Sequence, residues 1–147
     1  MDNLITDTVK KALDDLHIIH NYDETNNMFD FAIKLDKANI YVKIASDEKQ
    51  EMLMAVASCG VFAPKEKIEN ACRWICDKNL LCDIGYYTID TEDGEISFRV
   101  VCPLDGGAVN DSIAKVAIAN AITKMDNSYL EQLKLAYFDE GVAETKE

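Results

Sequence analysis

Five cysteines, two histidines and several adjacent acid pairs are the residues of this 147-residue chain that could do chemistry. Cys72 and Cys76 lie one helical turn apart with Cys82 close behind, so three thiolates could share a metal. Two features oppose that reading. Both helical cysteines fall on an apolar stripe, and no second Cys-Cys or Cys-His pair follows at zinc-site spacing. Cys72 and Cys76 are therefore expected to act as small buried hydrophobes. His17 and His20 stand three apart at a predicted helix end, where capping or solvent exposure is expected, because no further ligands accompany them. They are the only histidines, so no Ser-His-Asp or Cys-His-Asn set can be read from order or local motif. The acid pairs Asp14-Asp15, Asp47-Glu48 and Glu92-Asp93 fall on exposed faces or turns, with nothing to tune an acid/base couple. Asp90 to Gly94 has the look of a calcium loop, but the remaining ligand positions do not follow and strands flank it. Gly106-Gly107 has no Lys-Ser or Lys-Thr after it, so a flexible turn is expected there, not a phosphate cradle. The chemistry expected is accordingly none: no catalytic residues, no metal and no cofactor.

The elements are more legible than the chemistry. In the first predicted helix, Leu4 to His17, Ile5, Val9, Ala12, Leu13 and Leu16 share a face. A polar linker, Asn21 to Asn27, follows. Phe29, Phe31, Ile33 and Leu35 then alternate with polar neighbours, as do Ile40, Val42 and Ile44. The stretch Glu51 to Ser58 carries Met52, Met54 and Val56 on one side. Period-two patterning with short turns predicts an antiparallel meander solvated on one face. Pro64 opens a second helix, where its missing N–H suits the first turn. Its stripe is Ile68, Ala71, Cys72, Ile75 and Cys76, with Trp74 at the edge. Asn79 is expected to end it in a left-handed conformation, with Leu80 packed back on the last turn. A hairpin follows, in which Tyr87 and Ile89 oppose Tyr86 and Thr88 across the strand. Asp93-Gly94 supplies its reversal, and Ile96, Phe98, Val100 and Cys102 alternate with Ser97, Arg99 and Val101. The last region is helical from Asn110, with an expected break near Asn127, because Ser128 and Glu131 match a capping box. The expected class is α+β, with a three-stranded meander plus a hairpin packed against helices in the order α-βββ-α-ββ-α(α). One domain over residues 1–138 is expected, with an acidic, frayed tail at 139–147.

Most of Phe29 to Phe138, and most specifically the stretch from Pro64 to Val101, resembles the YbjN family, which shares the type III secretion chaperone-like fold. The residues that carry the likeness are the Pro64 to Asn79 helix, Gly85-Tyr-Tyr-Thr-Ile-Asp90, the Asp93-Gly94 turn and the apolar strand after it. The resemblance implies the fold, and it brings no established catalytic residues. It also implies a small acidic protein of the kind that dimerises and binds an extended partner segment over its sheet. YbjN-like proteins are tied to regulation and stress responses.

The charge of −12 bears on partners. Phosphate binding needs clustered Lys and Arg, which are missing, so nucleic acid is not an expected partner. No run approaches the ~20 apolar residues of a membrane span. The N-terminus lacks a secretory signal, and the odd cysteine count speaks against disulfides, so a bacterial cytoplasmic protein is expected. The leading expectation is a non-enzymatic, chaperone-like or regulatory protein, working as a homodimer, that binds a polypeptide partner through outward residues Trp74, Tyr86 and Arg99. The alternative is an acidic immunity-type inhibitor steered onto a basic toxin. A metal- or small-molecule-binding domain using Cys72, Cys76 and Cys82 ranks last.

Overall fold

The computed structural model describes residues 4–103 and 111–138. Of the loop expected from Pro103 to Gly107, Pro103 ends a strand and the rest lies outside the described residues, as does the expected tail at Asp139 to Glu147. Helix α1 (Leu4–Asp15) leads into β1 (Asn21–Asp23), β2 (Met28–Lys34), β3 (Asn39–Asp47) and β4 (Met52–Phe62). Helix α2 (Ile68–Asn79), strands β5 (Tyr86–Ile89) and β6 (Glu95–Pro103), and helix α3 (Asp111–Tyr137) follow among the described residues. The fold is α+β, a single antiparallel sheet of six strands in the order β1-β2-β3-β4-β6-β5. All three helices pack on the face that carries Phe29, Val42, Ala55 and Phe98, where the core lies.

The helical stripe of α1 is as the spacing predicts at Ile5, Val9, Ala12 and Leu13, which are buried, but the helix ends at Asp15 and Leu16, expected on the same face, is 39% exposed. Its end is set by His17, whose φ of +59° places it in the left-handed region. His17 N–H then donates to Asp14 O and Ile18 N–H to Leu13 O, the pair of bonds that closes a helix C-terminus. The start of α1 is capped from a distance. Glu48, in the β3–β4 turn, accepts from Ile5 N at 3.1 Å and Thr6 N at 2.7 Å, and from the Thr6 hydroxyl at 2.9 Å. A carboxylate on unpaired N–H groups at the positive end of a helix is a charged cap supplied by another element. Glu48→Ala is expected to cost about 1–2 kcal/mol in urea unfolding, as loss of an N-cap does. An unchanged midpoint would show that α1 holds without it.

Five sequence expectations need correction. Asn21–Asp23 is a strand, not linker: it pairs with Met28–Asp30, and Tyr22 packs on Phe29 with ring centroids 4.6 Å apart. Strand β4 continues through Cys59–Phe62, past a bulge at which Gly60 takes φ +77°. Because β4 carries two more residues than β6 between the Ser58↔Ser97 and Phe62↔Glu95 pairs, the alternation keeps its phase and Val61 still points into the core. Pro64 is extended, and a 3-10 turn over Lys65–Lys67 precedes α2. At the other end of α2, Leu80 is right-handed and 84% exposed, so it does not pack back. Finally, α3 has no break. Ser128 is buried within it and donates to Lys124 O four residues back, so its hydroxyl is committed inside the helix and caps nothing.

Candidate functional site

Among the described residues, the helices leave one face of the sheet bare. Strand register places Asn21, Asp30, Lys43, Val56, Arg99 and Tyr86 in one row that crosses all six strands in spatial order. Ahead of it runs an apolar row, Met28, Ala45, Met54 and Val101. Behind it run Ala32, Tyr41, Ser58, Ser97 and Thr88. Twist makes the surface concave. The resulting trough of about 1040 Å³ extends to Phe62, Asp90 and Glu95 at the hairpin end. Tyr41 is 49% exposed and Tyr86 42%. The methionine side of β4 belongs to this face, while Leu53, Ala55 and Ala57 fill the core.

Two of the three expected contact residues meet here. Tyr86 and Arg99 are cross-strand partners. Trp74 is on the opposite side of the sheet, held between α2, β5 and α3. Its ring meets Tyr87 edge-on at 5.1 Å, and its indole N–H donates to Glu131 Oε1 at 3.0 Å. Lys78 pairs with the same carboxylate at 3.2 Å and lies 5.6 Å from the Trp74 ring centre. Sequence reading missed Lys43 and Tyr41, although period-two alternation in β3 already turned both outward.

The helix side is closed by side-chain hydrogen bonds. Asn79 binds both backbone groups of Tyr87: its Oδ1 accepts from Tyr87 N at 2.7 Å, and its Nδ2 donates to Tyr87 O at 3.1 Å. The amide thus stands in for a neighbouring strand on the outer edge of β5, so an edge open to unwanted pairing is blunted at that point. Deeper in, fully buried Gln132 links α3 to β4. The Cys59 thiol donates to Gln132 Oε1 at 3.2 Å, and Gln132 Nε2 donates to Ser128 Oγ at 3.0 Å. Where α1 meets α3, Lys11 bonds Asp15 and Asp111, which push its pKa up to about 12, chiefly through the hydrogen bond to Asp111.

The acid pairs serve as structural ligands. Asp14 and Asp15 pair with Lys10 and Lys11. Asp47 accepts from Gln50 N in the β3–β4 turn, and Asp93 accepts from Glu95 N in the hairpin. Among the described residues no group of three or more His, Cys, Asp or Glu side chains could hold a metal ion. No helix there is long and apolar enough to cross a membrane. Cys72 and Cys76 correct their expectation. All five cysteines are free thiols, yet only Cys59 is buried, and Cys76 is exposed because the α2 stripe narrows to Ala71 and Ile75. Burial pushes the Cys59 pKa up to about 12 from 9.0. Since the folded value is the raised one, the stability it contributes is present below pH 9 and lost as pH rises toward 12. At pH 8 iodoacetamide is expected to alkylate Cys76 in the native protein and Cys59 only on unfolding, as peptide mass mapping will read. Equal labelling of both would contradict the buried thiol.

The helix-backed sheet is a fold that this chain shares with type III secretion chaperones of known structure. The structure is similar to ExsC in the ExsC–ExsE complex, with TM-score 0.65, 12% identity, and coverage of 95% of this chain and 100% of that one. It is similar to SchA of the HopA1–SchA chaperone–effector complex, with TM-score 0.59, 13% identity, and 84% and 91% covered. At such identities the likeness is one of fold. The chain belongs to the YbjN family, described as "Putative bacterial sensory transduction regulator", whose model matches residues 6–132. YbjN from E. coli itself has a similar structure, with TM-score 0.52 at 11% identity over 93% of this chain and 91% of that one. No curated protein matches the sequence.

Proposed function

We propose that this protein is a non-enzymatic, chaperone-like or regulatory domain that binds a polypeptide segment in the trough on its bare sheet face. The observation that carries the reading is the trough itself: a concave surface lined from all six strands, with apolar Met28, Ala45 and Met54 and the exposed Tyr41 in its lining and exposed Tyr86 beside it on the same face. Exposed aromatics and an apolar centre are what polypeptide interfaces use. The similar folds of ExsC and SchA occur in complexes with ExsE and HopA1, which supports the reading. Tyr86 and Arg99 belong to the contact surface, and Trp74 lies on a second surface facing away from it. The residues from 1 to 138 act as one domain, as their shared core supports. Free thiols on several elements suit a reducing cytoplasm.

The protein works as a homodimer in this reading. Leu80 and Leu81, 84% and 78% exposed, stand with Ile84 in the α2–β5 connection and give a second copy an apolar surface. Sedimentation of wild type against Leu81→Glu tests this, since a wild-type monomer would remove the dimer. Crosslinked pull-down from the protein's own cells tests the trough. Tyr41→Ala and Tyr86→Ala are expected to lose a partner that Trp74→Ala keeps. Equal recovery by all three would move the binding surface elsewhere.

A further inference from the structure

The centre of the trough runs against the charge of the chain, although the lining as a whole holds Asp30, Asp90 and Glu95 as well as Lys43 and Arg99. Acidic residues outnumber basic ones 27 to 15 in the sequence. Yet over Tyr41–Ala45, Met54–Ser58 and Ser97–Val101, the inner strands turn two cations and no carboxylate to the bare face. Those cations, Lys43 and Arg99, flank Val56 in the transverse row. Two strand spacings separate their backbones, about 10 Å, so both long side chains can reach a group seated over Val56. Neither has a carboxylate partner among the described residues. The half-buried Arg99 donates through Nη1 to the Met54 thioether at 3.6 Å, a weak acceptor for a guanidinium with five donors. The acid nearest in the row, Asp30, is held by the Asn21 amide at 3.1 Å. Asp90 and Glu95 line the hairpin end of the trough, away from the centre.

We infer that the segment accepted by this face is acidic, with a carboxylate side chain seated over Val56 between Lys43 and Arg99 and apolar neighbours along the Met28–Val101 row. This rests on the polypeptide-binding reading and adds the chemistry of the partner. A guanidinium offered a carboxylate in a partly dry groove gains charge-assisted hydrogen bonds that the thioether cannot supply. Tyr41, which lines the trough one row behind Lys43, gives the segment an aromatic wall.

The test is selection of a random displayed-peptide library on the full-length protein, on Lys43→Glu, and on the doubly reversed K43E/R99E. Wild type is expected to enrich peptides with Asp or Glu set among apolar residues. In a synthetic copy of an enriched peptide, Glu→Gln is expected to weaken binding about tenfold or more, as loss of a charged hydrogen bond does. The reversed variants are expected to enrich Lys or Arg instead. Lys43 is exposed, so Lys43→Glu keeps the test alive should the double variant not fold. Enrichment of basic or uncharged peptides on wild type would overturn the acidic partner while leaving polypeptide binding in place. Enrichment of nothing would overturn both.

Discussion

Gly94→Ala is expected to lower the unfolding free energy by about 3 kcal/mol or more and to loosen the β5–β6 hairpin. Gly94 takes φ +83°, where an L-residue with a Cβ is strained. Space is the larger obstacle. A Cβ there would sit 2.0 Å from Ala63 O and 2.9 Å from Ala63 N. The turn cannot retreat without breaking bonds, because Gly94 O accepts from Ala63 N at 2.8 Å and Gly94 N donates to Asp90 O. The turn therefore ties the hairpin to the exit of β4, just ahead of the 3-10 turn into α2. Strain of about 1–3 kcal/mol adds to the loss of those buried bonds. Gly94→Asn separates the two causes, since Asn tolerates positive φ but still carries the Cβ. It is expected to fare no better than Ala. Asp93→Ala, which loses only the bond to Glu95 N, is expected to cost under about 1 kcal/mol. Urea midpoints read all three, and a Gly94→Ala midpoint close to wild type would mean that the hairpin does not abut Ala63.

Where the chain could be read from sequence, one strong period decided the structure. Ile5, Val9, Ala12 and Leu13 repeat at the helical period, and Phe29 and Phe31, or Ile40, Val42 and Ile44, at the strand period, and all are buried. The failures come from local signals outweighed by tertiary ones. Asn21–Asp23 is short and exposed at each position, and its one aromatic, Tyr22, shows its use only when packed on Phe29 of the neighbouring strand. Ser128 and Glu131 have capping-box spacing, but burial against the sheet keeps α3 helical through them. Asn79 looked like a terminator, yet its amide bonds strand β5, a use that no spacing announces. The site was legible in its parts only. Alternation turned Tyr86 and Arg99 outward, but joining them to Val56 and Lys43 requires β4 to pair with β6, and that register is long-range. Trp74 lies across the sheet from Tyr86 and Arg99, a placement that a stripe-edge position does not announce because it does not say which side of the sheet the helix covers.

Gln132 carries the second large effect, and its replacements are expected to differ sharply. It is fully buried at Ser128 plus four and Met125 plus seven, a polar residue on the core face of α3. That phase was the one sequence signal for it. Gln132→Ala leaves a cavity and takes the acceptor from the Cys59 thiol, so about 2–4 kcal/mol is expected. Gln132→Leu fills the space. Ser128 still donates to Lys124 O, and only a weak thiol donor is left unpaired, so the cost is expected to stay under about 1.5 kcal/mol. Gln132→Glu places a carboxyl in the same dry site, where burial raises its pKa above the unfolded value of about 4.3. The sign follows from the raised folded pKa: the variant is most stable, relative to wild type, below the unfolded value. The deficit then grows by about 1.4 kcal/mol per pH unit until the folded pKa is passed. Urea unfolding of wild type and variant at matched pH from 4 to 8 reads the slope. A Gln132→Glu deficit that does not change with pH would mean that water reaches this site, and that the link between α3 and β4 is not the dry, packed contact that the Cys59–Gln132–Ser128 chain describes.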